Sequence, residues 1–236
     1  MAALSAATLL CVACRPQPAA SQENSAASIT RAERPTLYLL TSLPLLFPDE
    51  MRLDAEAPAV TRALESEFRI VPVDLPSQLP DGATLLAIQP RALPAEALVE
   101  LDDWVRRGGQ IVLLADPMLE WPSKRPLGDR LRPPMAFADT GLLTHWGLRL
   151  DAPEARGVAY SESDTDPVAM LSPGTLAKIA PGCVVEEGGW MALCAIGKGR
   201  ATVVADADWL NIEAVRAAGG DPRDNLGWLS RLVTRD

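Results

Sequence analysis

The sequence predicts an α/β fold in which a mainly parallel sheet is covered by helices and carries a β-hairpin insertion. Three observations predict it. Between residues 36 and 115, short apolar runs alternate with stretches of helical period, the rhythm of parallel strands joined by crossover helices. One run, Gln110-Ile-Val-Leu-Leu-Ala115, is apolar without alternation, as a strand buried on both faces should be. The composition agrees: 236 residues, 48% hydrophobic and 22% charged, can bury the core of one large domain.

The elements follow in order. Thr36–Thr41 reads as a short buried strand, followed by the loop Ser42–Pro48. Ala57–Glu67 is helical, with Val60, Leu64 and Phe68 on one face. Phe68–Val73 is a second strand, and its proline places it at an edge or a strand end. Thr84–Gln89 is a third. Pro94 opens the next helix, where a missing N–H costs nothing; Leu98, Leu101 and Val105 form its apolar stripe, and Gly108-Gly109 ends it. Gln110–Ala115 is the fourth strand. Beyond it, the proline-rich stretch Glu120–Pro134 reads as an ordered loop over the rim of the sheet or as a mobile flap. Thr140–Gly147 contains a short helix, and Asp151–Pro181 a turn-rich, acidic β excursion around Gly157–Tyr160. Gly197-Lys-Gly199 turns the chain into Arg200–Ala205, the last core strand, and Asn225–Val233 closes as a helix packing Leu226, Leu229 and Val233.

The N-terminus reads as an address. Ala2–Ala13 is small and apolar, shorter than the roughly 20 residues that a hydrocarbon core requires, and it matches the apolar region of a secretory signal. Leu10-Cys-Val-Ala-Cys14 resembles a bacterial lipoprotein cleavage box, with Cys14 as the lipidated residue. Residues 1–14 are therefore a signal or lipoprotein-type segment, and residues 15–34, rich in Pro, Gln, Ala and Ser, a flexible linker unable to offset its ordering entropy. Residues 35–236 form a single α/β domain. This organisation implies a periplasmic protein held at a membrane by its N-terminus; the bland alternative is an apolar N-terminus on a cytosolic protein.

The cysteines bear on the compartment. Cys183–Cys194 reads as two strands around a two-residue Gly188-Gly189 turn, with Glu187 facing Trp190 and Cys183 opposite Cys194. Opposed Cβ atoms lie near disulfide distance, so a bridge is preferred over two free buried thiols and fits an oxidising compartment. Counted from that turn, the pair falls at a hydrogen-bonded position, whose wider spacing suits a disulfide less well.

Charge excludes other classes. With 22 basic against 31 acidic side chains and a net charge of −9, the chain lacks the clustered cations of a nucleic-acid groove. A single histidine and four cysteines make neither a multi-histidine metal site nor a zinc finger.

Leu85-Leu-Ala-Ile-Gln-Pro90 and Leu101-Asp-Asp-Trp-Val-Arg-Arg-Gly-Gly-Gln-Ile-Val-Leu-Leu-Ala-Asp116 resemble a domain of gliding-type ABC-transporter auxiliary proteins and their uncharacterised relatives of the DUF4350 type. Gly197–Asn211 and Asp224–Leu229 are similar to that family's second signature. The resemblance implies a flavodoxin-like sheet of the class I glutamine amidotransferase kind. It also implies association with a membrane transport complex of permease and ATPase on the extracytoplasmic side.

An amidotransferase needs a cysteine on a sharp strand-to-helix turn with a histidine partner. No cysteine lies between Arg15 and Gly182, the strand ending at Ala115 runs into Asp116-Pro117, and no Gly-x-Ser-x-Gly is present. His145, beside Trp146, reads as a packed or surface residue. The chain is therefore expected to be a non-catalytic binding or scaffold domain without a cofactor. Asp116, Asp206 and Asp208 all fall at the carboxyl ends of predicted strands, where open α/β sheets place ligands. Such oxygens could hold Mg²⁺ or Ca²⁺ and serve a metal-assisted hydrolase; caps and turn formers are the preferred reading, and no metal is assigned. Thr41, Ser42 and Gln89 border the same rim as candidate polar ligand contacts.

Overall fold

A computed structural model describes residues 34–46, 56–161, 167–186 and 188–234. The leader at 1–14, Cys14, the linker up to residue 33 and Glu187 lie outside the described residues.

The chain begins with β1 (Thr36–Thr41), α1 (Ala59–Glu67), β2 (Arg69–Pro72), β3 (Thr84–Ile88), α2 (Ala95–Arg106) and β4 (Gln110–Leu114). A more irregular stretch follows: α3 (Leu142–His145), β5 (Leu148–Asp151), β6 (Val158–Tyr160), β7 (Ala169–Leu171) and β8 (Thr175–Lys178). It ends with β9 (Cys183–Val185), β10 (Met191–Ile196), β11 (Gly199–Val204), α4 (Ile212–Ala217) and α5 (Asn225–Thr234).

One seven-stranded sheet runs β2-β1-β3-β4-β11-β10-β9. The pairings from β2 through β11 are all parallel, and β10 and β9 extend the sheet antiparallel. The parallel part follows the flavodoxin-like order of a doubly wound sheet. β2 is the edge that its proline predicts. Two small antiparallel pairs, β5 with β8 and β6 with β7, lie outside the main sheet.

Strand alternation divides the core into two layers. Leu85, Ala87, Ile111, Leu113, Ala201 and Val203 face Leu101, Trp104 and Val105 of α2 and Leu142 and Leu143 of α3. Leu86, Ile88, Val112, Leu114 and Val204 face Val60 and Leu64 of α1 and Leu229, Leu232 and Val233 of α5. The unalternating run in β4 is thus explained: every second residue serves a different layer. Each fully buried side chain of this size contributes roughly 1.5–3 kcal/mol.

Two glycines fix the fit of α2 to the sheet. A Cβ at Gly109 would lie 2.5 Å from the Trp104 ring, and one at Gly199 would lie 2.1 Å from the Val105 carbonyl oxygen. Gly109 thus makes room for the Trp104 indole, and Gly199, which opens β11, lets backbone pass against backbone at the end of α2.

The hairpin corrects one expectation. Cys183 pairs with Cys194 as the spacing predicts, and the two are bridged, with Cα atoms 4.0 Å apart. The turn, however, closes at Glu186 and Met191: Glu186 N–H donates to the Met191 carbonyl at 2.9 Å, and Gly189 N–H donates to the Glu186 carbonyl at 3.0 Å. The loop is longer than two residues, which reverses the parity of the ladder. Ala195 N–H donates to the Gly182 carbonyl at 3.0 Å, so the cysteines sit at a non-hydrogen-bonded pair, the closer kind.

The proline-rich segment is an ordered loop. Leu119 N–H donates to the Met135 carbonyl at 2.9 Å and closes its ends, while the Arg132 guanidinium donates to the carbonyls of Ser123 and Arg125 inside it. Among the described residues, no helix is long and apolar enough to cross a membrane.

Candidate functional site

The carboxyl ends of β3, β4 and β11 bring the predicted rim residues together. Chain direction dictates this: parallel strands put Gln89, Asp116 and Asp206 just past their last residues on one side of the sheet. Asp116, Asp206 and Asp208 each offer a carboxylate oxygen within 4.8 Å of the other two. All three are fully buried, so they converge without opening to solvent.

Their hydrogen bonds show what they do locally. Asp116 Oδ1 accepts from Met118 N–H at 2.8 Å, and its Oδ2 accepts from Ala207 N–H at 3.0 Å and Asp208 N–H at 3.4 Å. Asp206 Oδ1 accepts from Asp208 N–H at 2.7 Å and Trp209 N–H at 3.3 Å, at the start of the short 3₁₀ turn Asp208–Leu210. Asp206 Oδ2 accepts from Leu171 N–H of β7 at 2.8 Å. Asp208 Oδ2 accepts from Glu120 N–H, and Asp208 Oδ1, fully buried, has no partner. Each carboxylate accepts at least one backbone N–H, some local and some from distant segments, and one buried acceptor is left over.

Burial dominates the electrostatics. It raises Asp116 above the ordinary carboxylate range, partly offset by the N–H groups of Ala207 and Met118 and by a hydrogen bond with the Asp206 side chain. Asp206 is raised well above its ordinary value by burial and then by the charge of Asp116. Asp208 is raised to about 7 by burial, the Asp116 charge and, more weakly, Glu120. Among the described residues, no cationic side chain pairs with any of the three.

The other rim residues are tied inward. Gln89, fully buried at φ 43°, takes Asp116 N–H on Oε1 at 2.9 Å and donates Nε2 to the Asp116 carbonyl at 3.0 Å. Ser42 Oγ donates to the Gln89 carbonyl at 2.5 Å, and Thr41 Oγ1 accepts Leu43 N–H at 3.0 Å. Thr41 and Ser42 are half-buried and form the accessible part of this edge. Beside the acids, a cleft of about 370 Å³ opens between Leu119, Glu120, Trp121, Ser123, Arg132 and Met135. Sequence reasoning placed this loop at the rim but missed its cleft; Trp121, an aromatic among prolines, was the available signal. It also missed Asn225, whose buried amide bonds the Ala169 N–H and the carbonyls of Ala169 and Trp209, holding β7 over the acids.

His145 stands far from this rim in its bonding. Its Nε2 lies 3.2 Å from Asp102 Oδ2 and 3.1 Å from Arg106 Nη2, and Trp146 Nε1 donates to Asp102 Oδ1 at 2.9 Å. The cluster docks α3 onto α2, with the imidazole 57% exposed and no nucleophile among its partners.

Comparison with known proteins adds the family. No protein of curated function matches the chain. Among solved structures, the exo-β-1,4-mannosidase Op5Man5 from Opitutaceae bacterium strain TAV5 is similar over 86% of this chain and 37% of its own, at 17% identity and TM-score 0.54. The cold-adapted β-galactosidase of Rahnella sp. R3 is similar over 78% of this chain and 31% of its own, at 14% identity and TM-score 0.44. A cytoplasmic protein of Salmonella typhimurium LT2 covers 84% of this chain and 98% of its own, at 10% identity and TM-score 0.43. The chain spans about a third of the length of the two glycosidases, and the mannosidase likeness is one of fold. The family model described as ABC-type uncharacterized transport system matches residues 34–162, which include the Leu85–Pro90 and Leu101–Asp116 signature. Matched over more than half its length, the chain belongs to this ABC-type transport family.

Proposed function

We propose that the chain is an extracytoplasmic, membrane-tethered auxiliary component of an ABC-type transport system that works by binding and not by covalent catalysis. The observation that carries this reading is the family match over residues 34–162. The Cys183–Cys194 bridge supports an oxidising compartment, and the Leu10–Cys14 box supports a lipid tether at Cys14. The flavodoxin-like strand order supports a class I amidotransferase-like frame. Among the described residues, the rim positions Gln89, Asp116 and Asp206 hold backbone N–H groups, which supports a binding role. Ligand or partner contact is assigned to the outer rim, at Thr41 and Ser42 and in the cleft lined by Trp121 and Arg132.

Metal-assisted hydrolysis at Asp116, Asp206 and Asp208 is the weaker reading. A hydrolytic metal needs an open position for water and substrate, and these carboxylates are fully buried.

The experiment is photo-crosslinking in intact cells from a probe placed at Met135, beside the cleft. Adducts with the permease or ATPase of an ABC transporter, identified by mass spectrometry, are expected. Adducts confined to soluble cytoplasmic proteins overturn the reading.

A further inference from the structure

We infer that Asp116, Asp206 and Asp208 form a structural divalent-cation site of calcium type, buried beneath β7 and the loop after β4. The inference does not depend on the transport reading. Two independent observations carry it: the convergence of the three carboxylates and the orphaned oxygen among them.

The first is spatial. One oxygen from each residue lies within 4.8 Å of the others. Oxygens coordinated to Ca²⁺ at about 2.3–2.6 Å stand at most about 4.6–5.2 Å apart across the ion. The corresponding limit for Mg²⁺, with bonds of about 2.0–2.1 Å, is about 4.2 Å, so Ca²⁺ accommodates every separation up to that bound and Mg²⁺ only the shorter ones.

The second is an accounting of lone pairs. Asp208 Oδ1 is fully buried and has no hydrogen-bond partner, in a class of atom that native proteins rarely leave unsatisfied. The remaining carboxylate oxygens accept backbone N–H groups. An N–H occupies only part of a carboxylate oxygen's acceptor capacity, since each oxygen has two lone pairs. These bonds therefore fix the carboxylates in place while leaving acceptor directions for an ion. Among the described residues, no Lys, Arg or His supplies the cluster with a counter-charge. Glu120 adds a further carboxylate at its solvent side, where its Oε1 accepts from Ser172 Oγ at 3.2 Å. A cation there would clamp the loop after β4, the end of β7 at Leu171 and the turn after β11. That is a structural tie and not a reaction centre, consistent with the closed surroundings.

The test uses the whole chain stripped with a chelator. It is titrated with CaCl₂, and separately with MgCl₂, by calorimetry and by thermal unfolding at pH 8. Calcium is expected to bind with one ion per chain and to raise Tm by roughly 5–10 °C at a hundredfold excess over Kd, with magnesium weaker. Asp208→Asn should fold and lose at least about tenfold in calcium affinity, while Asp102→Asn, which alters the α2–α3 contact instead, should retain it. Terbium luminescence sensitised by the adjacent Trp209 in the unmutated protein, displaced by calcium, gives a readout that needs no variant. Absence of both heat and Tm shift at 10 mM calcium overturns the inference. So does equal binding by a folded Asp208→Asn, or terbium emission that calcium does not displace.

Discussion

Gln89 and Asp116 are joined by a pair of hydrogen bonds across the ends of β3 and β4, in which the glutamine amide takes the place of a peptide group in the ladder. The pairing is buried, so neither backbone group of Asp116 has water as an alternative. Gln89→Ala is expected to destabilise the fold by about 1–3 kcal/mol, the cost of stranding the buried Asp116 N–H, since the Asp116 carbonyl keeps the Phe137 N–H. Urea unfolding should show a lower midpoint at unchanged slope.

Asp208 makes the cation-free protein less stable as pH rises. Its carboxyl is held at about 7 in the fold against 3.8 ordinarily, so the folded state binds its proton more tightly than the unfolded chain does. Below the ordinary value both states are protonated and the residue costs nothing; between pH 4 and 7 the penalty grows, reaching on the order of 4 kcal/mol. Asp116 and Asp206 shift in the same direction and add to the trend. Stability in chelator should therefore fall from pH 5 to pH 8, and Asp208→Asn should flatten that slope. A rise in unfolding midpoint over this range would contradict the assignment.

The bridge closes a short loop. With Cys183 and Cys194 separated by 11 positions, its removal should cost about 3 kcal/mol by the loop-entropy relation. Cys183→Ala/Cys194→Ala and the reduced protein should melt together below the oxidised form. Thiol labelling of the native, unreduced chain should leave both residues unmodified.

Gly199→Ala introduces a methyl group against carbonyl oxygens of Val105 and Gly109, which are backbone atoms and cannot rotate away. A loss of at least about 3 kcal/mol is expected, read as lowered soluble yield and a lowered urea midpoint. Ala at Gly82, where nothing lies within 4 Å, should cost only the strain of its positive φ.

Replacing Cys14 with Ser tests the tether. The protein should move from the membrane fraction to the soluble fraction, and unchanged fractionation would remove lipidation from the proposal.

The parallel half was legible because its signals are local. The Leu98–Leu101–Val105 stripe, the proline of β2 and the unbroken apolar run of β4 each name an element and its surroundings. The pairing of β5 with β8 was not legible, since short strands such as Leu148–Asp151 carry too few alternations to announce that Asp151 will face Thr175 and Leu148 will face Lys178. The hairpin shows a finer failure: Gly188-Gly189 marks a turn but not its length, and one residue on each side reversed the ladder's parity. At the rim, strand direction alone placed Asp116, Asp206 and Asp208 together. Their burial was invisible because β7, Asn225 and the loop after β4 cover them from distant parts of the chain. The free oxygen of Asp208 was equally invisible, for it appears only when every neighbouring donor is counted.

The two borders of the main sheet are both poor templates for strand addition. β2 ends in Pro72, which has no N–H to offer, and β9 is three residues long and stapled to its neighbour by the Cys183–Cys194 bridge. A passing unfolded segment or a second molecule finds no long row of free peptide groups to zip onto. Growth of the main sheet by an added strand is thus disfavoured at either border, and contact through side chains is the route left to these edges.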